Sequence, residues 1–170
     1  MASSLQLTTV ANSALAGTVG GSATLLLSGG APGPQGPAGS GTAPNFAGEN
    51  KSGGTLAAGA PVAVHSSGSG VASASATAAG YPAVGLAAGP VAPNVGGSYQ
   101  TGGPMTLADW SGALDTAAAA LTPKSLYFVS PTSGKLTATP PTTVGRYVQA
   151  VGYAVTATTL EIEIGQPLLL

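Results

Sequence analysis

Hydrophobic and polar positions change along this chain in short bursts, and glycine or proline interrupts them every few residues. The cleanest alternation is Leu160-Glu161-Ile162-Glu163-Ile164, which sends three aliphatic side chains inward and two carboxylates outward if the segment is a strand. Leu126-Tyr127-Phe128-Val129 is strongly β-prone and lies between two turn signals, Thr122-Pro123-Lys124 and Pro131-Thr132-Ser133-Gly134. Lys135-Leu136-Thr137 leaves the second turn as the other arm of a hairpin. Residues 61–65, 71–76 and 81–86 are further strand candidates, and 147–155 is the longest. Near the start, the runs 5–10 and 23–27 are separated by a glycine-broken segment and read as two short strands or an extended arm. Residues 113–121 are the one stretch that could be helical, and their alanine run reads equally as a loop. Many short strands with Gly/Pro turns predict an all-β fold whose larger domain is a small β-barrel or sandwich. Its expected core is Val62, Val64, Leu126, Phe128, Val148, Leu160, Ile162 and Ile164.

A different periodicity occupies the segment between the arm and this domain. Gly30-Ala31-Pro32, Gly33-Pro34-Gln35, Gly36-Pro37-Ala38 and Gly39-Ser40-Gly41 place glycine at every third position, with proline among the others. In a collagen helix three chains meet at an axis where only glycine fits, so Gly30, Gly33, Gly36 and Gly39 are the expected axial residues of a trimeric neck. A flexible Pro/Gly linker is the alternative. So short a run needs trimeric domains beside it to nucleate a triple helix. The chain therefore divides into an N-terminal anchoring arm or small β region (1–29), a collagen-like neck and linker (30–53) and a C-terminal β-domain (54–170).

Composition narrows the function. Charged residues make up 5% of the 170, against about 25% in a typical soluble domain, and the net charge is −1. With 27 glycines, 14 prolines and many small side chains, a monomer would build a thin core. Burial among copies of itself in a large assembly suits such a chain better. The four basic residues, Lys51, Lys124, Lys135 and Arg146, are too few and scattered to neutralise a phosphate backbone, so no nucleic-acid partner is expected. The absence of cysteine excludes disulfides and thiolate chemistry. Met1-Ala2-Ser3-Ser4-Leu5 has no positive region, so a secretory signal is not expected, and the longest apolar runs fall far short of a membrane span.

Candidate chemistry is sparse. His65 is the sole histidine, beside Ser66 and Ser67, and reads as a turn residue rather than a general base. Asp109 and Asp115 could pair as glycosidase carboxylates, but more simply decorate the loops around Trp110. Gly17-Thr18-Val19-Gly20-Gly21-Ser22 lacks the lysine of a phosphate loop, and Asn50-Lys51-Ser52 matches a glycosylation triplet without a secretory context. Tyr99 and Trp110, with Tyr81, are the candidates for surface recognition of a host glycan, although such aromatics are more often core or interface residues. No catalytic, cofactor-binding or metal-binding residue is expected, and the chain does not read as an enzyme.

The order of elements after the neck carries a resemblance. Gly54-Thr55-Leu56-Ala57-Ala58-Gly59-Ala60-Pro61-Val62 is followed by Tyr81-Pro82-Ala83-Val84-Gly85-Leu86-Ala87 and by Leu121-Thr122-Pro123-Lys124-Ser125-Leu126-Tyr127-Phe128-Val129-Ser130. Ser133-Gly134-Lys135-Leu136-Thr137, Pro140-Pro141, Val151-Gly152-Tyr153-Ala154-Val155 and the 160–164 alternation complete it. This pattern, over about two thirds of the chain, resembles the small β-domain of phage head-decoration (capsid cement) and head-fibre proteins and of some short tail fibres. Lys124 departs from it, standing where such domains often have a turn glycine. The resemblance implies a non-enzymatic homotrimer on the outer surface of a phage particle, made in the host cytoplasm. Its partner would be the major capsid protein or another virion protein. One end of such a protein attaches to the particle. Here the uncharged N-terminal arm is the expected anchor, through Leu5, Leu7, Val10, Leu25, Leu26 and Leu27.

Overall fold

The computed structural model describes residues 43–170 apart from position 78, and before them the backbone of Leu7–Val10, Ala14–Val19 and Ala23–Ser28. The chain divides into two units, 1–41 and 42–170. Among the described residues there is strand, turn and loop but no helix, and so none long and apolar enough to cross a membrane.

In the first unit, β1 (Leu7–Val10), β2 (Ala14–Val19) and β3 (Ala23–Ser28) form an antiparallel meander in which Gly17 is paired with Leu7 on one side and Leu25 on the other. The middle strand was not legible as one, because Ala14-Leu15-Ala16-Gly17-Thr18-Val19 is dominated by small residues with little strand preference. Leu5 and the triplet glycines lie outside the described residues.

The second unit contains two open five-stranded sheets. The first has the order β4 (Asn45–Glu49), β8 (Gly96–Gln100), β7 (Gly85–Ala87), β5 (Pro61–Val64), β6 (Val71–Ser73). The second has the order β11 (Leu136–Thr137), β10 (Leu126–Val129), β13 (Ala150–Ala154), β14 (Thr159–Glu163), β9 (Gly102–Thr106). A two-stranded ribbon joins β12 (Tyr147–Val148) to β15 (Leu168–Leu169). All these ladders are antiparallel. An isolated parallel bridge, Asn50 to Val71, brings the edges of the first sheet together without a ladder, and neither sheet closes into a barrel. Residues 45–49, expected within a linker, instead form the edge strand β4, paired along its length with β8.

The sheets share the larger core, which takes Ala63 and Leu86 from the first and Met105, Tyr127, Val129, Val151, Leu160 and Ile162 from the second. The opposite face of the first sheet is also covered: Val62, Val71, Ala87 and Tyr99 pack with Leu56 and Val91 in a second cluster, against Phe46. This double burial explains why Pro61, Val62 and Ala63 are all buried in succession, as a strand covered on both faces should be. Four expected core positions differ. Val64 is half exposed because it ends β5 at the 65–70 loop. Leu126 faces outward and Phe128 is half-buried, while Tyr127 and Val129 point in. Val148 is likewise half-buried, between the inward Tyr147 and Gln149. Leu160 and Ile162 are buried and Ile164 packs against the core, as the alternation of 160–164 requires.

Residues 113–121 form loop, not helix. The Ala113 and Leu114 amides donate to the Trp110 carbonyl, but then the chain leaves: Asp115 N–H bonds Leu136 O, and Leu136 N–H returns to Ala113 O. Ala117 has a φ of +54°, which no α-helix permits.

Candidate interaction surface

The polar side chains buried in the second unit are spent on holding the fold. Asn50 is wholly buried, and its amide donates to Gly54 O at 2.8 Å and Val91 O at 2.9 Å while its Oδ1 accepts from the Ser52 amide at 2.9 Å. The hydrogen-bonding capacity of that amide is taken up by the loop before Leu56 and by Val91 O, so the Asn50-Lys51-Ser52 triplet offers no glycosylation acceptor in the folded unit. Gln149 imitates a strand. Its Oε1 accepts Ala83 N–H at 2.7 Å and its Nε2 donates to Ala83 O at 2.9 Å and Gly165 O at 3.0 Å, tying the Ala83 segment to two segments with which it forms no ladder. Sequence reading missed it because a glutamine beside Val148 and Val151 has the appearance of an outward residue.

Nothing among the described residues gathers into a reactive centre. No group of three His, Asp or Glu side chains could hold a metal there. His65 Nδ1 sits 2.8 Å from Ser67 Oγ in an exposed loop, a local turn contact. Asp109 and Asp115 serve separate partners. Asp109 accepts the Ser111 amide at 2.8 Å, a bond that holds its carboxyl below the usual range, and Asp115 accepts the Ser130 hydroxyl at 3.1 Å. The one ion pair among the described residues, Lys51 with Glu49, is local and partly exposed.

The aromatic platform is corrected by burial. Tyr99 and Trp110 are both 0% exposed and can present no face to a sugar. Trp110 is fixed through Nε1 to Thr158 O at 3.0 Å and lies over Gly59, where a Cβ would meet its ring at 2.8 Å. Tyr99 stacks at a tilt on Phe46, with centroids 5.3 Å apart. Tyr81 is the aromatic left outside. It borders an open cleft of about 400 Å³ whose walls also carry Lys51, His65, Ser73, Ser75 and Ser133.

The remaining surface carries several large apolar side chains. On the outer face of the second sheet, Leu126 is paired with Tyr153, both exposed, and Tyr153 with Glu161. A second apolar surface is the β12–β15 ribbon. Leu168 and Leu169 are 66% and 72% exposed opposite Val148 and Tyr147. Val144, 86% exposed, stands next to Gly145, whose amide bonds Leu170 O. Beside the ribbon is a cleft of about 450 Å³ lined by Pro82, Ala83, Val84, Ile164, Gln166 and Pro167. The leucines could have been noticed in the sequence; their exposure could not, because an apolar run reads as core. Of the expected anchoring residues, Leu7 and Val10 lie on β1 and Leu25, Leu26 and Leu27 on β3.

Comparison with protein-family models, with curated proteins and with solved structures finds no match.

Proposed function

We propose that this chain is a structural, non-enzymatic protein of a phage virion: a trimeric capsid decoration or head-fibre protein that binds and stabilises the coat shell. The observation that carries the reading is the glycine-triplet run at 30–41, which follows β3 and precedes the 42–170 unit in a chain with 5% charge. Three copies joined by such a neck offer three identical attachment segments, and their avidity exceeds that of any single contact. Leu5, Leu7, Val10, Leu25, Leu26 and Leu27 would anchor the trimer to the major capsid protein, and the 42–170 unit would project. Small side chains and few charges favour many shallow apolar contacts over a few strong ion pairs. Cryo-electron microscopy of intact particles is the direct test. Density for this chain on the head shell is expected, and particles lacking it should lose heat stability; density confined to the tail would overturn the reading.

A second reading, a short tail or baseplate fibre that binds a host surface glycan, is favoured by Tyr81, exposed on a cleft rich in hydroxyl groups. An aromatic face beside hydrogen-bonding side chains suits a sugar ring. Binding of the protein to host polysaccharide that is lost in Tyr81→Ala would support it.

A further inference from the structure

We infer that the β12–β15 ribbon is the surface through which the 42–170 units of three copies pack on one another, the leucines of one copy seating in the cleft beside the ribbon of the next. The inference rests on the trimeric reading and deepens it by assigning the contact.

The occupant follows from where the ribbon stands. The described part of the second unit starts at Ala43 and Pro44, and the Pro44 carbonyl accepts both the Thr101 amide at 2.8 Å and the Thr101 hydroxyl at 3.0 Å. Thr101 directly precedes Gly102, which is paired with Glu163 at the end of β14. Past that end the chain runs through Gly165, bonded to Ala150 O, to Leu168, paired with Val148. The chain therefore enters the unit at the same end of the second sheet from which the leucine ribbon projects. Five residues, 40–44, separate the last axial glycine of the triplets, Gly39, from β4. Three copies joined through residues 30–41 would meet one another at effective concentrations in the millimolar range.

The shape of the surface fits a ring. A three-fold contact is heterologous and needs two different complementary patches on each copy. The ribbon supplies an exposed patch, Val144, Leu168 and Leu169, and the adjoining cleft supplies a receiving one that carries Pro82, Val84, Ile164 and Pro167 beside Gln149 and Gln166. Arg146 is the one charged residue in the ribbon segments 144–148 and 167–170, so little charge has to be desolvated when it is covered. Side chains as exposed as Leu168 and Leu169 gain most from burial.

The test uses the full chain and sedimentation equilibrium. Wild type is expected to be trimeric. Leu168→Asp with Leu169→Asp should weaken assembly about 100-fold or more, as the loss of two buried leucines per contact implies. Leu126→Asp, on the outer sheet face, should leave assembly unchanged. A trimer undiminished by the double substitution overturns the ribbon assignment and leaves the trimeric reading standing, whereas a monomeric wild type overturns both. Should the charged variant misfold, a paired Leu168→Cys and Pro82→Cys variant provides the second measurement, in a chain without other cysteines. Covalent trimers on oxidation are expected, and monomers alone would overturn the assignment.

Discussion

Tyr99 illustrates how far burial can override polarity at one residue. Its ring is enclosed by the second cluster, yet its hydroxyl is buried with no hydrogen-bond partner among the described residues. Gly97 makes the room: a Cβ there would stand 2.9 Å from the Tyr99 hydroxyl and 2.6 Å from Val91. Because a buried unpaired hydroxyl is a net cost, Tyr99→Phe should stabilise the protein by about 1 kcal/mol, read as a higher denaturant midpoint with an unchanged slope. Tyr147 behaves differently. Its hydroxyl donates to Ser75 O, and burial pushes its pKa up to about 12 from an ordinary value of 10. The folded state therefore holds this proton more tightly than the unfolded chain. The stability it contributes is complete below pH 10 and is lost as pH rises toward 12. Thermal unfolding followed between pH 9 and pH 12 should show a fall in Tm over that window, shallower in Tyr147→Phe, which has no proton to lose.

At the scale of elements, the turn before β10 shows a sequence departure turned into geometry. Lys124, standing where a turn glycine was expected, adopts φ = +66°, a conformation that costs an L-residue with a side chain about 1 kcal/mol. Its amide still bonds Ala154 O at 2.7 Å, so the turn keeps the shape glycine would give it and the lysine bears the strain. Lys124→Gly should therefore be neutral to stabilising by about 0.5–1 kcal/mol, the relief of strain being partly offset by the freer unfolded chain, as calorimetry would show. The strand that follows explains why alternation failed there. All four residues of Leu126-Tyr127-Phe128-Val129 are apolar, so period two has no polar partner to fix its phase. Packing decides instead: the Tyr127 hydroxyl accepts the Thr122 amide at 2.8 Å, and a bulge between Tyr127 and Phe128 shifts the register against β13. In β14, Glu161 and Glu163 supply that missing contrast, and the phase was legible.

For the whole molecule, the glycine triplets and the 42–170 unit make separable demands. Gly36→Arg places a long side chain where a triple helix admits none, so the full chain should lose trimer or show a lowered first melting transition while the β unit melts unchanged. Differential scanning calorimetry with sedimentation on the same samples reads both. An unaltered first transition would mean that residues 30–41 serve as a linker.

The sequence by itself determined the all-β class of the second unit, the turns that punctuate it and the phase of β14, where glutamates alternate with aliphatic residues. It also determined the absence of thiol chemistry and the scarcity of charge, since these are properties of composition. Tertiary structure alone decided which faces are covered. Val62 and Ala63 are buried together because the first sheet is packed on both sides, and Tyr99 and Trp110 vanish into cores that local pattern cannot locate. It also decided that Gln149 turns inward, where Ala83 and Gly165 satisfy it, and that Leu168 and Leu169 stand outside. The physical reason is the same in each case. Hydrophobicity says that a side chain gains by leaving water, but only segments distant in sequence can supply the surface or the hydrogen bond that receives it.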